Sequence, residues 1–338
     1  MTYPRKSLVS LADTPYYHVI ARCVRRAWLW GVDEYAGKDY SHRKQWVLER
    51  LSVLSGIFAI DVCAFAIMSN HYHLVLHVDQ QRAKSWSRDE VVERWTQLFS
   101  RPILVDRWQQ GVCGAIEREI AEDIIERWRR QLYDVSWYMR CLNEHLARRA
   151  NVEDGCTGRF WEGRFKSQAL LDECGLLTAM AYVDLNPVRA GIARTPEDSD
   201  FTSIEQRIRS IRAESRLPMR ARAEGAGSVH IPLLPFRDGY KDDRPHLPYR
   251  SLDYLELVEW SGRIVREDKR GAIDSYLPAI MQRLHIDPSA WRSAMQPAGN
   301  VFGRALGRLD RLRLHAELLK QSWIRGISAA ARLYPKHV

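Results

Sequence analysis

The first eighty residues alternate between strand and helix patterns. Residues 16–24 are rich in aromatic and β-branched side chains, which is typical of a strand. Apolar residues recur at helical spacing over 41–55, where Ser41 is a candidate N-cap and Gly56 can end the helix. Residues 57–68 are almost wholly apolar and predict a central strand. A short polar turn leads into another strand, and the order strand, helix, strand, strand predicts an α+β fold with an antiparallel sheet.

The strand after that turn carries histidines on one face. Successive side chains of residues 71–78 point to opposite faces, so one face holds three imidazoles, those of His71, His73 and His77. Two histidines two positions apart on a strand can direct their ring nitrogens at one point, and a strand can supply two metal ligands in this way. The alternative is a half-exposed face on which the histidines bind nothing.

Helical spacing of apolar residues returns in the middle of the chain. It predicts three helices that should cover the sheet, at residues 89–99, 115–130 and 134–149. A short apolar strand follows at 168–171, and Asp172-Glu173 resembles the start of a further helix. Asn186-Pro187 should end that helix, because proline cannot continue it.

Tyr182 and Asn186 stand four residues apart in this predicted helix. They are therefore neighbours on one face, with Asn186 in the final turn, where its amide can reach outward. A tyrosine in an amphipathic helix usually packs with its hydroxyl at the edge, and a nucleophile is the alternative. Asp184 lies about 200° around the helix from Tyr182, and His77 about 13 Å along its strand from the histidine pair, so neither is expected to bind the same ion.

A compact run of basic and aromatic residues occupies 158–167. Its members that suit phosphate clamping and base stacking are Arg159, Phe160, Trp161, Arg164 and Lys166. The alternative is an aromatic loop that fills the core and leaves the arginines at its rim.

The sequence changes character after Gly191. A short basic helix is predicted at 201–212, and a linker rich in arginine, glycine and proline at 214–243. The remainder predicts helices at 252–265, 272–284 and 306–319. We therefore expect three parts, at 1–193, 194–246 and 247–338.

Charge favours a polyanionic partner. The 338 residues include 51 Lys and Arg against 42 Asp and Glu, a formal charge of +9. Residues 300–338 alone hold eight Lys or Arg against two acids, which suits contact with phosphates or else a solvated helix face.

Cysteine usage and hydropathy indicate a cytosolic protein. Six scattered cysteines form no C-x-x-C pair, which predicts a reducing setting without a zinc knuckle. The N-terminus has no apolar run like that of a signal peptide, and no stretch approaches the roughly 18 consecutive apolar residues of a membrane span. Secreted disulfide-framework and membrane-spanning classes are therefore not expected.

Four blocks of the sequence, in this order, resemble the REP-associated tyrosine transposases, which are single-tyrosine members of the HUH transposase superfamily. The blocks are Tyr17-His18-Val19 with Arg22, residues 68–75, residues 163–167 and residues 181–191. The resemblance covers residues 15–191. It implies a ferredoxin-like antiparallel sheet covered by helices. The residue pattern after Gly191 adds a mostly helical C-terminal region.

The resemblance also implies an active site. His71 and His73 match the histidine pair that binds a divalent metal, Mg²⁺ or Mn²⁺. Tyr182 matches the catalytic nucleophile, and Asn186 matches the polar residue one turn later that completes the metal site. The implied enzyme is a DNA transposase that cuts and rejoins single-stranded DNA through a 5′-phosphotyrosine.

The substrate implied by the resemblance is single-stranded DNA, often folded as a hairpin. The basic residues expected to contact its backbone are Arg22, Arg159, Arg164, Lys166 and Arg189. We expect a cytoplasmic protein, associated with the nucleoid when bound to DNA and without a membrane partner, and both a monomer and a homodimer remain open.

Two other functions compete with a transposase. One is a regulator that binds repetitive DNA on the same fold without cutting it. The other is a metal-dependent hydrolase that uses the two histidines on a substrate other than DNA. The combination of His71, His73, Tyr182 and Asn186 favours the enzyme that cuts DNA, because a protein that only binds DNA does not need all four.

Overall fold

The computed structural model describes residues 9–24, 32–33, 37–214, 229–238, 245–265, 278–295 and 303–335. The strands are β1 Tyr16–Arg22, β2 Val32–Asp33, β3 Lys38–Asp39, β4 Ile60–Ile67, β5 His71–Val78, β6 Lys166–Leu170 and β7 Ala305–Leu306. The first helices are α1 Arg43–Ile57, α2 Gln80–Ser85, α3 Arg88–Thr96, α4 Ile103–Gln109, α5 Ala115–Gln131, α6 Val135–Glu153 and α7 Glu173–Asp184. The later helices are α8 Asn186–Arg189, α9 Ser203–Glu214, α10 Ser251–Val265, α11 Ala279–Arg283, α12 Pro288–Met295, α13 Leu309–Leu318 and α14 Ile327–Leu333.

Within these described ranges five strands form one sheet, in the order β4-β5-β1-β6-β7. The first four pair antiparallel, and β7 adds to β6 in parallel. The order of the first four strands is that of a ferredoxin-like sheet. The prediction of an α+β fold with such a sheet, covered by helices and followed by a mostly helical region, is confirmed.

Helices cover both faces of the sheet. Tyr72 of β5 donates a hydrogen bond from its hydroxyl to Asn143 of α6, so α6 lies on the face away from the histidines. Helix α1 packs against α6. On the other face α7 crosses β4, β5 and β6. The histidine face is therefore covered by the helix that carries Tyr182.

Several predicted boundaries need correction. Helix α1 begins at Arg43 with His42 at its N-cap and no side-chain hydrogen bond there, so Ser41 is not the cap. The helix also continues through Gly56 to Ile57, because Leu54 and Ile57 both bury their side chains in the core. Helices α2 and α4 were not predicted, since six or seven residues are too few to show helical spacing.

The predicted start of α7 is confirmed, and the helix ends before Asn186-Pro187 as predicted, but Asn186 does not lie in its last turn. The side chain of Asp172 accepts a hydrogen bond from the N–H of Gly175 and caps the helix. The helix ends at Asp184, and Asn186 begins the separate short helix α8. Pro187 explains the break, since it lacks an N–H and fits only the first turn of a helix.

The described segments after Gly191 pack against the sheet and α7. Helices α9, α10 and α13 agree with the prediction, whereas part of the predicted helix 272–284 lies outside the described residues. In the expected linker, residues 229–238 are not extended away from the fold, because Leu233 bridges Val62 of β4 and Phe236 is buried. Strand β7 completes this packing, so the C-terminal region contributes to the same sheet. The division into three parts stays a prediction.

The described helices lack any segment that combines the length and the apolar character required to span a membrane.

Candidate active site

The two predicted metal ligands lie together on β5, and with His18 they form a cluster of three imidazoles. The ring centroids of His71 and His73 are 4.9 Å apart, and that of His18 on β1 is 5.2 Å from that of His73. His18 Nε2 and His73 Nδ1 are 2.9 Å apart, within hydrogen-bond distance. His77 lies away from this cluster and instead pairs through Nδ1 with Asp61 at 3.0 Å.

The sequence analysis did not assign His18 to the site. The signal that could have found it is its place in an antiparallel pair of central strands. Ile20 stands opposite His73 in the register, and His18 is two residues away on the same face. A histidine on that face therefore lies diagonally across from His73, but the pairing of β1 with β5 had to be known first.

Tyr182 is brought to the histidines by α7. Its ring centroid is 6.0 Å from that of His73 and 6.3 Å from that of His18. The tyrosine is half-buried and packs against the core. The guanidinium carbon of Arg189 lies 3.9 Å from the centroid of the Tyr182 ring. The predicted nucleophile and the predicted ligand pair therefore share one site, although they are more than a hundred residues apart in sequence.

Asn186, the third predicted ligand, is the first residue of α8 and is only 8% exposed. The expectation that its amide reaches outward from the last turn of the Tyr182 helix is therefore wrong. Its role as a ligand stays a prediction.

All three imidazoles are held neutral. Burial lowers the pKa of His18 to about 4, against the hydrogen bond to Gln168, which raises it. Burial, and then the charge of Arg22, lowers the pKa of His71 to about 4. The pKa of His73 lies well below its usual range, first because of burial and then because of the neighbouring His18 and His71. A neutral imidazole keeps one unprotonated nitrogen, which is the form that binds a metal.

The predicted ligands His71, His73 and Asn186 are of types that a divalent cation can use. His71 Nδ1 lies 2.6 Å from the side-chain oxygen of Asn70, to which it donates, so that its Nε2 is left unprotonated. Among the described residues no group of three or more His, Cys, Asp or Glu side chains could hold a metal. Two imidazoles and one amide are a set of a different composition, suited to a cation that keeps water or substrate oxygens.

Four of the five basic residues predicted to contact DNA are exposed, and they are Arg22, Arg159, Arg164 and Lys166. Lys166 stands opposite Ile20, which itself stands opposite His73, so the lysine lies in the same cross-strand row as the site. Arg189 is half-buried over Tyr182. Their contacts with DNA stay predictions.

The aromatic residues of the same run do not suit base stacking. Phe160 is buried, and its ring packs edge-on against Trp161 with centroids 5.0 Å apart. Trp161 donates its indole N–H to the carbonyl of Asn143 at 2.8 Å and packs against Tyr72. The suggestion that Phe160 stacks on bases is therefore wrong. Trp161 is held between β5 and α6 by its contacts with Tyr72 and Asn143.

Part of the basic charge after residue 300 also has a structural use. The main-chain N–H of Arg308 donates to Asp172 at 2.6 Å, and its guanidinium donates to the carbonyl of Leu284 at 3.1 Å. Arg311 donates to the carbonyl of Leu171 at 3.3 Å. The two guanidinium groups therefore hold α13 to Leu284 at the end of α11 and to Leu171 just before α7. Part of the basic charge of this region is already engaged within the fold.

Asp184, two residues after Tyr182, is fully buried and serves to connect helices. It accepts hydrogen bonds from the Ser203 hydroxyl, from the Ile204 N–H at 3.0 Å and from the Tyr254 hydroxyl at 2.5 Å. Burial raises the pKa of Asp184 to about 6, against the lowering by these hydrogen bonds. The carboxyl therefore ties α7 to α9 and α10. The expectation that Asp184 is not a metal ligand stays a prediction.

No protein-family model matches the chain, and no curated protein sequence matches it. Among solved structures, a REP-associated tyrosine transposase bound to a REP hairpin is similar to this chain, with a TM-score of 0.36 and 11% sequence identity. The similarity covers 68% of this chain and 96% of that chain.

Proposed function

We propose that the protein is a metal-dependent tyrosine transposase that cuts and rejoins single-stranded DNA through a 5′-phosphotyrosine intermediate. The observation that carries the proposal is the meeting of Tyr182 with the histidine pair. The Tyr182 ring centroid lies 6.0 Å from that of His73, which in turn lies 4.9 Å from that of His71. A nucleophile beside two neutral imidazoles is the arrangement that this chemistry needs.

Tyr182 performs the covalent step. Its phenolic oxygen attacks the scissile phosphate and forms a phosphorus–oxygen bond, while the bond from phosphorus to the 3′ oxygen breaks. The phenol loses its proton and the 3′ oxygen gains one, so charge and atoms balance. The 5′ end remains on Tyr182, and a 3′-hydroxyl can attack it in the reverse sense. A phenol with a usual pKa near 10 leaves readily in that reverse step, so the bond energy is conserved for strand transfer.

The ligand set would hold Mg²⁺ or Mn²⁺ through His71, His73 and Asn186. A cation held there would polarise the scissile phosphate and offset the charge that develops on it. Burial keeps both imidazoles neutral and so available as ligands. The guanidinium of Arg189 stacks on the phenol ring and would help to hold it in place.

Single-stranded DNA with a hairpin is the proposed substrate. The exposed side chains of Arg22, Arg164 and Lys166 would contact its phosphates, which is the main source of affinity for nucleic acids. Such an enzyme would act in the cytoplasm on nucleoid DNA.

The decisive experiment is incubation with a hairpin-bearing single-stranded oligonucleotide and Mn²⁺ or Mg²⁺, followed by denaturing electrophoresis. We expect a denaturant-resistant protein–DNA adduct that EDTA prevents and that Tyr182→Phe cannot form. Tyr133→Phe is the matched control, since Tyr133 is another partly buried tyrosine and lies beyond α5. Equal adduct from Tyr182→Phe would show that the nucleophile is wrong. Binding of the hairpin with no adduct would instead favour the non-cleaving regulator.

A further inference from the structure

A hydrogen-bonded chain joins the C-terminal region to His73. Gln168 of β6 donates from Nε2 to the carbonyl oxygen of Gly303 at 2.8 Å. The other side-chain atom of Gln168, Oε1, lies 3.3 Å from His18 Nδ1. His18 Nε2 lies 2.9 Å from His73 Nδ1. Four residues from three strands and the segment before β7 are thus connected end to end.

The main-chain carbonyl at one end decides where each hydrogen lies. A carbonyl oxygen can only accept, so the amide nitrogen of Gln168 must face Gly303 and its oxygen must face His18. An amide oxygen also only accepts, so His18 Nδ1 must carry the hydrogen.

The same logic continues to the metal ligand. His18 and His73 are both buried, which favours the neutral rings, and a neutral ring has one donor and one acceptor nitrogen. With Nδ1 of His18 as donor, its Nε2 is the acceptor. His73 Nδ1 must then carry a hydrogen and donate it, and His73 Nε2 is left unprotonated.

We propose that His18 and Gln168 are positioning residues for His73. The Gly303 carbonyl orients Gln168, Gln168 orients His18, and His18 fixes the tautomer of His73 so that its Nε2 is the ligand atom. The inference rests on the proposed function in one respect, because an unprotonated Nε2 matters only if His73 binds a cation. His71 reaches the same tautomer through its neighbour Asn70. The tautomers of the two predicted ligands are therefore fixed by different partners. The neighbouring Asn70 fixes that of His71, and the chain that begins at Gly303 fixes that of His73.

The test reads the tautomer directly. Long-range ¹H–¹⁵N NMR spectra of the full chain with ¹⁵N-labelled histidine distinguish the Nδ1–H and Nε2–H forms, and a His73→Gln variant assigns the signal. We expect the Nδ1–H form for His73 in the parent. His18→Gln should keep it, because a glutamine oxygen can take the place of the accepting nitrogen. His18→Leu and Gln168→Leu should give a mixed tautomer.

Affinity for Mn²⁺, followed by paramagnetic broadening of the His71 and His73 signals, is the second readout. Loss of a partner behind a metal-binding histidine typically weakens affinity by about 10- to 100-fold, and we expect a loss in this range for His18→Leu but not for His18→Gln. His145→Gln, on an exposed histidine of α6, is the control and should change neither readout.

The outcomes separate the two proposals. An Nε2–H form of His73 in the parent, or an Nδ1–H form that persists in both His18→Leu and Gln168→Leu, would overturn the positioning role whatever the adduct assay shows. Adduct formation by Tyr182→Phe together with a tautomer that responds to His18→Leu would overturn the nucleophile and leave the positioning role standing. Circular dichroism of each variant shows whether it has folded.

Discussion

The guanidinium of Arg189 lies on the ring of Tyr182, with its central carbon 3.9 Å from the ring centroid. Arg189 also donates from Nε to the carbonyl oxygen of Met295, at the end of α12, at 2.5 Å. The ring of the proposed nucleophile is thus held by a cation that the C-terminal region anchors. A cation over an aromatic face contributes roughly 0.5–2 kcal/mol, more when it is desolvated.

Removal of this cation should slow the covalent step. For Arg189→Ala we expect the rate of adduct formation at saturating DNA to fall about tenfold, the size of a cation–π contact. For Arg189→Lys the rate should fall less, because lysine keeps the charge but cannot stack as a planar group on the ring. The measurement is a single-turnover time course over a range of DNA concentrations.

Arg159→Ala is the matched control, on an exposed arginine predicted to contact phosphates. It should weaken DNA binding and leave the saturated rate unchanged. If Arg189→Ala behaves in the same way, Arg189 is a phosphate contact and not a support for Tyr182.

Acid should destabilise the fold through the buried imidazoles. His18 and His71 have pKa values lowered to about 4 by burial, whereas an unfolded histidine titrates near its usual value of 6.5. The unfolded chain therefore binds more protons, and the stability from each ring, about 3 kcal/mol, is complete above pH 6.5 and is lost as pH falls through 4. Urea denaturation of His18→Gln should show a shallower dependence on pH than the parent over this window. A slope equal to that of the parent would count against a neutral, buried His18.

Asp184 should give stability the opposite dependence on pH. Burial raises its pKa to about 6, so the folded protein binds the proton more tightly than the unfolded chain does. Its contribution is complete below about pH 4 and decreases by about 3 kcal/mol as pH rises through 6. Asp184→Asn cannot titrate, and the difference in unfolding free energy between parent and variant should therefore change between pH 4 and 6. A difference that is constant over this range would contradict the raised pKa.

Local sequence patterns were enough to predict the histidine pair and the tyrosine helix, each separately. The alternation over residues 71–78 placed His71 and His73 on one face, and the apolar run before Pro187 placed Tyr182 on a helix. These signals lie within single elements and depend only on strand and helix geometry.

The contacts between elements could not be predicted in this way. Arg189 lies over Tyr182 from a separate short helix that begins after α7, and His18 reaches His73 only through the pairing of β1 with β5. Strand β7 is two residues long and has no periodicity to detect, yet it extends the sheet. Its position follows from packing against α7, which no local pattern encodes.

That packing can be tested at Gly175 of α7. A Cβ atom there would lie 2.4 Å from the carbonyl oxygen of Leu306 in β7, which is main chain and cannot turn away. Gly175→Ala should therefore destabilise the protein by about 2 kcal/mol or more, as overpacking does. It should also slow adduct formation, since displacement of β7 would disturb the nearby Gly303 carbonyl that orients Gln168.

Gly56→Ala is the matched control, because it makes the same change inside α1, where nothing lies within 4 Å of the new atom. It should stabilise the protein by about 0.5–1 kcal/mol, since alanine loses less conformational freedom than glycine in a helix. Urea denaturation of both variants gives the comparison. If Gly175→Ala is as stable as Gly56→Ala, β7 does not press against α7.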